Sequence, residues 1–473
     1  MDNLHYEKFA DGTIKCIEDE IPFEVPEGWA WAHLSDIAQI LNGDRGQNYP
    51  AKNKLQDTGI PFVSASNIES GVVISNNLLC MTEAQYKSLG AGKLITNDIV
   101  YCIRGSLGKC GFFTMSKGAI SSSLVIVRPF RENNVIRKYL FLYLNASLAE
   151  SEIKKYDNGS AQPNLAAKDF ARFLIPVPPL DELDTIVKKT DNVLMLVEQI
   201  TNNKESIKNI ISLTTSKILD LAIRGKLVPQ NENDEPASVL LERIRAEKEE
   251  LIKQRKIKRD KRESVIYRGA DNSYYERFAD GSEKCIDEEI PFEIPGSWEW
   301  ERLSNVASFS GGKTPSTSRH EYWGNDVPWI TSKDMKSKYI SSSQLYLSSL
   351  GAEQLKIYSS NTLLVCVRSG ILRHTFPIAI LKIDATINQD LKAIKLYLPE
   401  LLEYIYVCLK GLESNILRKN IKSGTTVESI NFYEFKKILL PIPSLDEQQR
   451  IVEYIKKCSD NIDMIDMLVN KLE

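Results

Sequence analysis

FADGTIKCIEDEIPFEVPEGWAW, residues 9–31, returns as FADGSEKCIDEEIPFEIPGSWEW at residues 278–300. Without a gap, 15 of the 23 positions are identical. A second pair follows at nearly the same interval, because IPVPPLDE at 175–182 is matched by LPIPSLDE at 440–447. Internal repetition of this kind indicates one unit present twice in the chain. Two copies related by a pseudo-twofold axis suggest a target that also has two halves.

The composition is that of an ordinary soluble protein with more than one domain. A chain of 473 residues exceeds what one core usually serves, and 42% hydrophobic with 26% charged residues is typical of globular proteins. We find no run long enough to span a bilayer. Polar residues such as His5, Glu7 and Asp11 stand where a signal peptide would be apolar. The sequence therefore predicts a cytoplasmic protein without a membrane partner.

Charge and cysteine content narrow the class of function. The formal net charge is −3, which argues mildly against a nonspecific DNA-coating protein unless positive charge is concentrated on one face. The eight cysteines are scattered singly, so we expect small, buried, reduced residues. With only four histidines and no C-x-x-C, the sequence predicts no metal site.

The two middle regions, about 34–174 and 303–439, have the pattern of mixed α+β domains. DIVYCIRG (98–105), SLVIVRPF (123–130) and TLLVCVRSG (362–370) are predicted strands that end in turn residues. Short helical patterns lie between them, as in TEAQYKSLGAG (82–92). The sequences of the two middle regions differ strongly, whereas the sequences of the repeats that flank them are similar. We infer that the flanks share one task and the middles have different ones.

Each unit closes with a proline-punctuated strand and a long helix. Apolar residues recur at alternating spacings of four and three along both helices, and the two stripes are in the same register. A sustained heptad pattern predicts a coiled coil, here an antiparallel pair within the chain. The alternative is a helix lying on its own domain, which would show a broader apolar face. The predicted seam consists of Ile186, Val193, Val197, Ile200, Ile207, Ile211, Ile451, Ile455, Ile462, Ile465, Val469 and Leu472.

A charged connector joins the two units. Residues 235–258 are helix-like, with Pro236 at the expected start, and residues 253–262 read KQRKIKRDKR. A solvated helix that docks on one face, or on a partner, is the favoured interpretation. A basic arm that binds DNA is the alternative.

We find no catalytic motif in the sequence. GGKT at 311–314 resembles the end of a phosphate-binding loop, but the required first glycine is Ala307 and the next residue is Pro315. No N/D-P-P-Y/F, G-x-S-x-G or H-E-x-x-H motif occurs. The acidic pairs at 181–182 and 446–447 are expected to cap helix starts. The chain is predicted to be a recognition or scaffold component and not an enzyme.

Together these features resemble the specificity subunit of a type I restriction–modification system. The residues that carry the resemblance are the duplicated openings IPFEVPEGWAW and IPFEIPGSWEW and the closings IPVPPLDE and LPIPSLDE. ILDLAIRGKLVPQNENDEPASVLLERIRAEKEELI (218–252) is typical of the central region of that family, and GGKTPS…YWGNDVPWITSKDM (311–335) is similar to the start of many of its target recognition domains. The resemblance spans nearly the whole chain.

The resemblance implies a function and a set of partners. In that family each variable domain reads one half of a bipartite site in double-stranded DNA, and the paired helices set the spacer. Two modification subunits methylate adenine N6 with S-adenosylmethionine, and two restriction subunits can join to give ATP- and Mg-dependent cleavage. The specificity chain itself is non-catalytic and binds no cofactor. The rival interpretations are a coiled-coil scaffold that does not read DNA, and a single-chain nuclease or methyltransferase.

The resemblance also implies a fold and domain boundaries. The expected fold is α+β, with two globular mixed α/β target recognition domains joined by two long antiparallel coiled-coil helices in a pseudo-twofold repeat. The expected segments are an N-terminal stub (1–28), target recognition domain 1 (29–179), a central helix (180–228), a connector helix with the repeat signature (229–297), target recognition domain 2 (298–443) and a C-terminal helix (444–473). In one departure from the family pattern, the second helix is expected to lack a counterpart of 209–228, so the two modification subunits are not expected to dock equally.

Candidate DNA contacts lie in polar turns after predicted strands. A glycine-rich turn lets the backbone approach DNA while Arg or Lys reaches a phosphate or a guanine edge, and amide side chains can read adenine. A plain structural turn is the alternative for each. The four tryptophans of the repeat are predicted to be core anchors instead of base-stacking platforms. The candidates are Asn67, Arg104, Ser106, Lys109, Asn158, Ser160, Gln162, Lys313, Thr314, Ser316, Ser332, Lys333, Arg368, Arg373, Lys422 and Thr425.

Overall fold

The computed structural model describes residues 4–157, 163–260, 263–422 and 427–471. It divides into two compact units, Met1–Ile200 and Thr201–Glu473. The predicted contacts Asn158, Ser160, Gln162 and Thr425, and the seam residue Leu472, lie outside the described residues.

The first unit alternates short strands with a few helices. Its strands are β1 (Tyr6–Lys8), β2 (Ile14–Cys16), β3 (Ala30–His33), β4 (Ala38–Asn42), β5 (Ile60–Val63), β6 (Ile68–Glu69), β7 (Val72–Val73), β8 (Cys80–Met81), β9 (Lys93–Ile95), β10 (Ile99–Cys102), β11 (Cys110–Phe112), β12 (Lys117–Ile120), β13 (Leu124–Pro129) and β14 (Leu174–Val177). Its helices are α1 (Leu34–Ile37), α2 (Glu83–Ser88), α3 (Asn134–Leu144), α4 (Ser147–Tyr156) and α5 (Ala167–Phe170), and α6 (Leu180–Ile223) begins here and continues into the second unit.

The second unit has the same kinds of element. Its strands are β15 (Ser264–Arg268), β16 (Tyr274–Phe278), β17 (Glu283–Cys285), β18 (Glu299–Arg302), β19 (Ala307–Gly311), β20 (Trp323–Ile330), β21 (Tyr339–Ile340), β22 (Tyr346–Leu347), β23 (Leu363–Cys366), β24 (Ile378–Leu381), β25 (Thr386–Ile387), β26 (Leu391–Leu396), β27 (Ile421–Lys422), β28 (Ser429–Ile430) and β29 (Leu439–Ile442). Its helices are α7 (Ala237–Lys253), α8 (Leu303–Val306), α9 (Ser349–Ala352), α10 (Leu402–Gly411), α11 (Glu413–Asn420), α12 (Phe432–Phe435) and α13 (Leu445–Asn470).

The diverged middle regions share one sheet topology. The main sheet of the first unit has the order β4-β13-β10-β11-β7-β6, and that of the second has β19-β26-β23-β24-β21. In the first sheet β7, next to the edge strand β6, runs parallel to β11, and in the second the edge strand β21 runs parallel to β24. A smaller sheet in each unit contains one parallel pair, β5 with β12 and β20 with β25. The sequence difference between the middles therefore does not extend to their fold.

The repeated flanks form a ladder that closes each unit. β3 pairs with β14, with Trp31 opposite Pro176, and β18 pairs with β29, with Trp300 opposite Pro441. The chain thus enters and leaves each variable domain on adjacent antiparallel strands. The predicted role of the repeat tryptophans as anchors fits their burial, since Trp298 and Trp300 are buried and Trp29 and Trp31 half-buried.

Apolar strands and helices supply the cores. β10 is buried along its whole length in the first unit, and β23 in the second, because each is a central strand covered on both faces. The predicted strands at 98–105, 123–130 and 362–370 are confirmed as β10, β13 and β23. The helical pattern at 82–92 is confirmed as α2, whose N-cap Thr82 accepts a hydrogen bond from the backbone N–H of Gln85.

All eight cysteines are free thiols, and five are buried. Burial raises the pKa of Cys110 and Cys366 to about 11 and that of Cys408 to about 12, so these thiols are inert packing groups. Within the described ranges no group of three or more His, Cys, Asp or Glu residues is placed to hold a metal ion. No described helix is long and apolar enough to cross a membrane.

The long helices form where the heptad pattern predicts them. α6 has 44 residues and α13 has 26. Of the predicted seam, Ile451 and Val469 are buried, Ile186, Ile207, Ile211, Ile455 and Ile462 are half-buried, and Val193, Val197, Ile200 and Ile465 are exposed. At the start of α6 the fully buried residues are Leu183 and Val187. The antiparallel pairing of the two helices stays a prediction.

The connector also contains the predicted helix. α7 begins after Pro236 and buries Leu240, Leu241 and Ile244. Lys248 on the same helix is buried and forms an ion pair of 2.7 Å with Glu263. This helix therefore docks on one face, as the sequence favoured.

Candidate nucleic-acid interface

In the first unit the ends of several strands bring polar loops together. The backbone N–H of Ser121, after β12, donates to the carbonyl of Val63 at the end of β5. The N–H of Ile103, after β10, donates to the carbonyl of Ser123 before β13. We call the resulting surface the first loop face, and it consists of residues 42–47, 64–67, 103–109, 121–123 and 163–164.

Arg104 lies on the first loop face. Its side chain is exposed, and its Nε donates a hydrogen bond of 3.1 Å to Oδ1 of Asn164. The two residues also form an isolated β-bridge. Gly105 and Gly108 both have positive φ, at +79° and +82°, so the turn after Arg104 depends on glycine. Ser106 is exposed and Lys109 half-buried on that turn, which holds three predicted contacts side by side.

Asn67 has a structural role that its sequence context did not reveal. Its side chain is buried, and Oδ1 accepts hydrogen bonds from the backbone N–H of Ser64 at 3.0 Å and from the Ser64 hydroxyl at 2.8 Å. These bonds hold the turn after β5. The candidate therefore lies in the loop face, but its side-chain oxygen is engaged within the turn.

Arg45 is a residue of the first loop face that sequence analysis missed. Its Nη2 donates to the carbonyl of Ser122 at 3.3 Å, which places a cation against the loop between β12 and β13. The adjacent Asp44 accepts backbone hydrogen bonds from Gly46 and Gly90, and these lower the pKa of its carboxyl group. The signal was the glycine-rich NGDRG at 42–46, which occupies the place that GGKTP at 311–315 has in the second unit.

The second unit repeats this framework with different side chains. The N–H of Asn388 donates to the carbonyl of Ile330, and the N–H of Val367 donates to the carbonyl of Asp390. The same two backbone hydrogen bonds between strand ends are therefore present in both units. We call this surface the second loop face, residues 311–318, 331–334, 367–373, 388–390, 422 and 428–429. Five predicted contacts in GGKTPS and SKD lie on it, namely Lys313, Thr314, Ser316, Ser332 and Lys333.

A close backbone approach fixes the first loop of the second face. A Cβ atom at Gly312 would lie 2.1 Å from the carbonyl oxygen of Ile387 and 2.2 Å from that of Asn388. Lys313 and Ser316 are exposed beyond this point. The Thr314 hydroxyl donates to Oε1 of Gln389, a second residue that sequence analysis missed.

The turn after β20 presents Ser332 and Lys333. Asp334 accepts hydrogen bonds of 2.8 Å from both the backbone N–H and the hydroxyl of Thr331, as Asn67 does from Ser64 in the first unit. Lys333 is exposed and Ser332 half-buried. The capping residue and the candidate contacts are therefore different residues of one turn.

Arg368 is the counterpart of Arg104. It is exposed, follows the buried strand β23 and forms an isolated β-bridge with Ser429. Lys422, exposed on β27, is paired with the same Ser429. Cys366 and Cys102 each direct a thiol at the carbonyl of the arginine two residues later, at 3.6 Å and 3.1 Å.

Arg373 differs from Arg368 because it is already paired. Its Nε donates to Oε1 of Glu428, and this interaction lowers the pKa of the Glu428 carboxyl group. About three fifths of its side chain is still exposed. Arg373 thus lies on the second loop face, and its charge is partly neutralised by Glu428.

In each unit the repeat signature is bonded to the closing helix through a tryptophan and a glutamate. Trp29 Nε1 donates to Oε2 of Glu182 at 2.8 Å, and Trp298 Nε1 donates to Oε2 of Glu447 at 2.9 Å. Burial raises the pKa of Glu447. These carboxylates lie in the first turns of α6 and α13, as expected for helix starts, but the backbone N–H of Glu447 is capped by Ser444.

Comparisons with known proteins identify both units. The family model described as type I restriction modification DNA specificity domain matches residues 26–209 and 295–473, which is more than half of the chain. The chain is 37% identical over 165 residues to the type I restriction enzyme EcoR124I/EcoR124II specificity subunit of Escherichia coli, covering 34% of this chain and 41% of the relative. It is 27% identical over 340 residues to the EcoAI specificity subunit of E. coli, covering 62% and 54%. The chain thus spans about half the length of these relatives.

Two solved structures have the same fold. One chain, from a study of complex assembly and conformational transition of the type I R-M system, matches with a TM-score of 0.63 at 18% identity, covering 95% of both chains. The HsdS subunit from Thermoanaerobacter tengcongensis matches with a TM-score of 0.53 at 16% identity, covering 96% of this chain and 93% of that one.

Proposed function

Because this chain belongs to the family of type I restriction modification DNA specificity domains and carries that domain twice, we propose that it is a DNA sequence-specificity subunit. Each unit would read one half of a bipartite site in double-stranded DNA. The chain would direct the chemistry of other subunits and perform none itself.

The observation that carries this proposal is the pair of loop faces. Both faces are held by equivalent backbone hydrogen bonds between strand ends. Their side chains differ, because residues 121–123 of the first face are serines and the equivalent residues of the second face are Asn388–Asp390. Exposed arginines at 104 and 368 occupy matching positions. A common frame with different donors and acceptors is suited to two different base sequences, because base edges are distinguished by hydrogen-bond patterns.

We propose that two modification subunits are the chain's partners and methylate an adenine in each half-site. S-adenosylmethionine would bind to those subunits, and ATP and Mg to two restriction subunits where these join. The target adenine has to be flipped out of the base stack before it can be methylated, and the modification subunit would flip it. The family and the names of the relatives support this division of labour.

The long helices would set the distance between the half-sites. At 1.5 Å per residue, the 44 residues of α6 form a rod of roughly 65 Å. Half-sites one helical turn apart have centres roughly 34–36 Å apart, which such a rod can span. This spacer role rests on the heptad pattern and on helix length.

Mapping methylated adenines across the genome, with and without this chain, tests the proposal. A bipartite adenine motif should disappear on deletion and return on complementation. Retention of every adenine motif would refute the proposal. A purified complex with its methyltransferase that shows no sequence preference would favour the scaffold interpretation. Binding of S-adenosylmethionine, or cleavage of DNA, by the isolated chain would favour a single-chain enzyme.

A further inference from the structure

In the second unit the repeat signature is covered by the chain that precedes it. The guanidinium carbon of Arg224 lies 4.6 Å from the ring centre of Phe292. A Cβ atom at Gly225 would lie 2.4 Å from Cγ of Pro295, so the backbone passes directly against that ring. We call residues 224–260 and 263–268 the covering segment, because they continue over the same surface.

Polar contacts fasten the covering segment to the start of α13. Gln230 donates to Oε1 of Glu447 and accepts a hydrogen bond of 3.0 Å from the hydroxyl of Ser297. Asp234 accepts from Arg450, with Nη2 at 2.6 Å. The carboxylate that holds Trp298 is therefore also held by the covering segment.

The rest of the covering segment adds a helix and a strand. Leu240 and Ile244 of α7 lie in one buried cluster with Trp298. β15 pairs with β16, opposite the side on which β16 pairs with β17. Beneath this cover, Trp298 and Glu447 are only 3% and 2% exposed.

Among the described residues of the first unit, no segment covers the equivalent surface. The ring of Phe23 lies 5.2 Å from that of Trp31, as Phe292 does from Trp300, but Phe23 is 49% exposed. Pro26 and Glu182 are exposed as well. The hairpin β1–β2 repeats the register of β16–β17 and forms a two-stranded sheet within the described residues, where the second unit has three strands.

We propose that this surface of the first unit, formed by Phe23, Pro26, Trp29, Glu182 and β1, binds a turn–helix–strand segment of the covering type from another polypeptide. The occupant would place a guanidinium over the Phe23 ring and an amide donor on Glu182, because the second unit shows both contacts made on the equivalent groups. Its strand would extend the β1–β2 sheet by edge addition. This site is distinct from the loop faces and does not depend on DNA reading.

A synthetic peptide of residues 222–268, labelled with a fluorophore, is the probe. We expect saturable binding to the full-length chain by fluorescence anisotropy, with a dissociation constant below about 100 µM. The double variant Phe23→Ala/Glu182→Gln should bind at least about tenfold more weakly. Phe130→Ala is the control, because Phe130 is a ring of the first unit that is 58% exposed and lies outside this surface, so its loss should leave binding unchanged.

The variants of the full-length chain could bind weakly because they fold poorly. Peptide variants and cross-linking test the proposal on the unaltered chain. Arg224→Ala and Gln230→Ala in the peptide should each weaken binding to the unaltered chain. A photo-reactive group in place of Leu227 should cross-link to residues 21–31. Cross-links to residues 290–300 would overturn the proposal, since they would show exchange with the chain's own covering segment. Absence of saturable binding, or equal affinity for the double variant, would overturn it too.

Discussion

Trp298 donates its indole N–H to Glu447, a residue 149 positions later, over a distance of 2.9 Å. Trp29 makes the corresponding bond to Glu182 at 2.8 Å. The first residue pair is buried, whereas Glu182 is exposed. The same hydrogen bond therefore occurs once with a buried carboxylate and once with an exposed one. Comparison of the two within one chain shows the effect of burial on this bond.

The buried carboxylate makes the stability of the second unit depend on pH. Burial raises the pKa of Glu447, so the folded state holds this proton more tightly than the unfolded chain does. Stability from this group is therefore fully present below the ordinary value of 4.5 and is lost as the pH rises through the raised pKa. The melting temperature of the wild type minus that of Glu447→Gln should increase as the pH is lowered from about 7 to about 4.5. A flat difference, or one matched by Glu182→Gln, would contradict this prediction.

Gly312→Ala should destabilise the second unit by about 2 kcal/mol or more. The new methyl group would overlap two carbonyl oxygens, those of Ile387 and Asn388, at 2.1 Å and 2.2 Å, so the backbone would have to shift. Gly370→Ala is the control, since a Cβ there meets nothing within 4 Å. Denaturant unfolding measures both, and equal midpoints for the two variants would show that the close approach is not a constraint.

Arg368→Ala should weaken binding of the complex to its DNA site about tenfold, or about 1.4 kcal/mol. Only the half-site read by the second unit should lose discrimination. Lys382→Ala removes an exposed cation at the opposite end of the β23–β24 pair, where Lys382 follows β24, and should change little. Binding measured against sites mutated in either half gives the answer. Equal losses for the two variants would contradict the placement of the second loop face on DNA.

A seven-residue insertion within 186–211 should lengthen the spacer of the recognised site. One heptad adds about 10 Å of helix, which corresponds to about three base pairs. Both half-site sequences should stay the same, because neither loop face is altered. Replacement of seven exposed residues without a change of length controls for local damage. An unchanged spacer in the methylated motif would refute the spacer role of α6.

The sequence predicted the repeated strands and helices well, because the repeat and the apolar patterns are local signals. The strands β10, β13 and β23 and the capped helix α2 are where the patterns indicated. The repeat predicted two similar domains, but not the order of the strands in the sheets of the two middle regions. Their sequences diverge, and a sheet order is set by contacts far apart in the chain, such as the parallel pairing of β5 with β12.

The loop faces were predicted in part, since a residue type does not reveal whether its polar atoms are already used. Arg104 and Arg368 lie as expected on exposed turns. Asn67 lies on the same face, but its side-chain oxygen caps a turn. Arg45 and Gln389 were missed because their loops become part of the face only through long-range hydrogen bonds, from the Arg45 side chain to the Ser122 carbonyl and from the Thr314 hydroxyl to Gln389.

The ladders β3–β14 and β18–β29 have an evolutionary consequence. Because the chain enters and leaves each variable domain on paired strands, everything between Trp31 and Pro176, or between Trp300 and Pro441, can be exchanged as a cassette. Genetic recombination at the two ends of the repeat would join a foreign domain to an unchanged ladder. Under the proposed function, the chain would then acquire a new recognition specificity in one step, with no further mutation in the ladder strands.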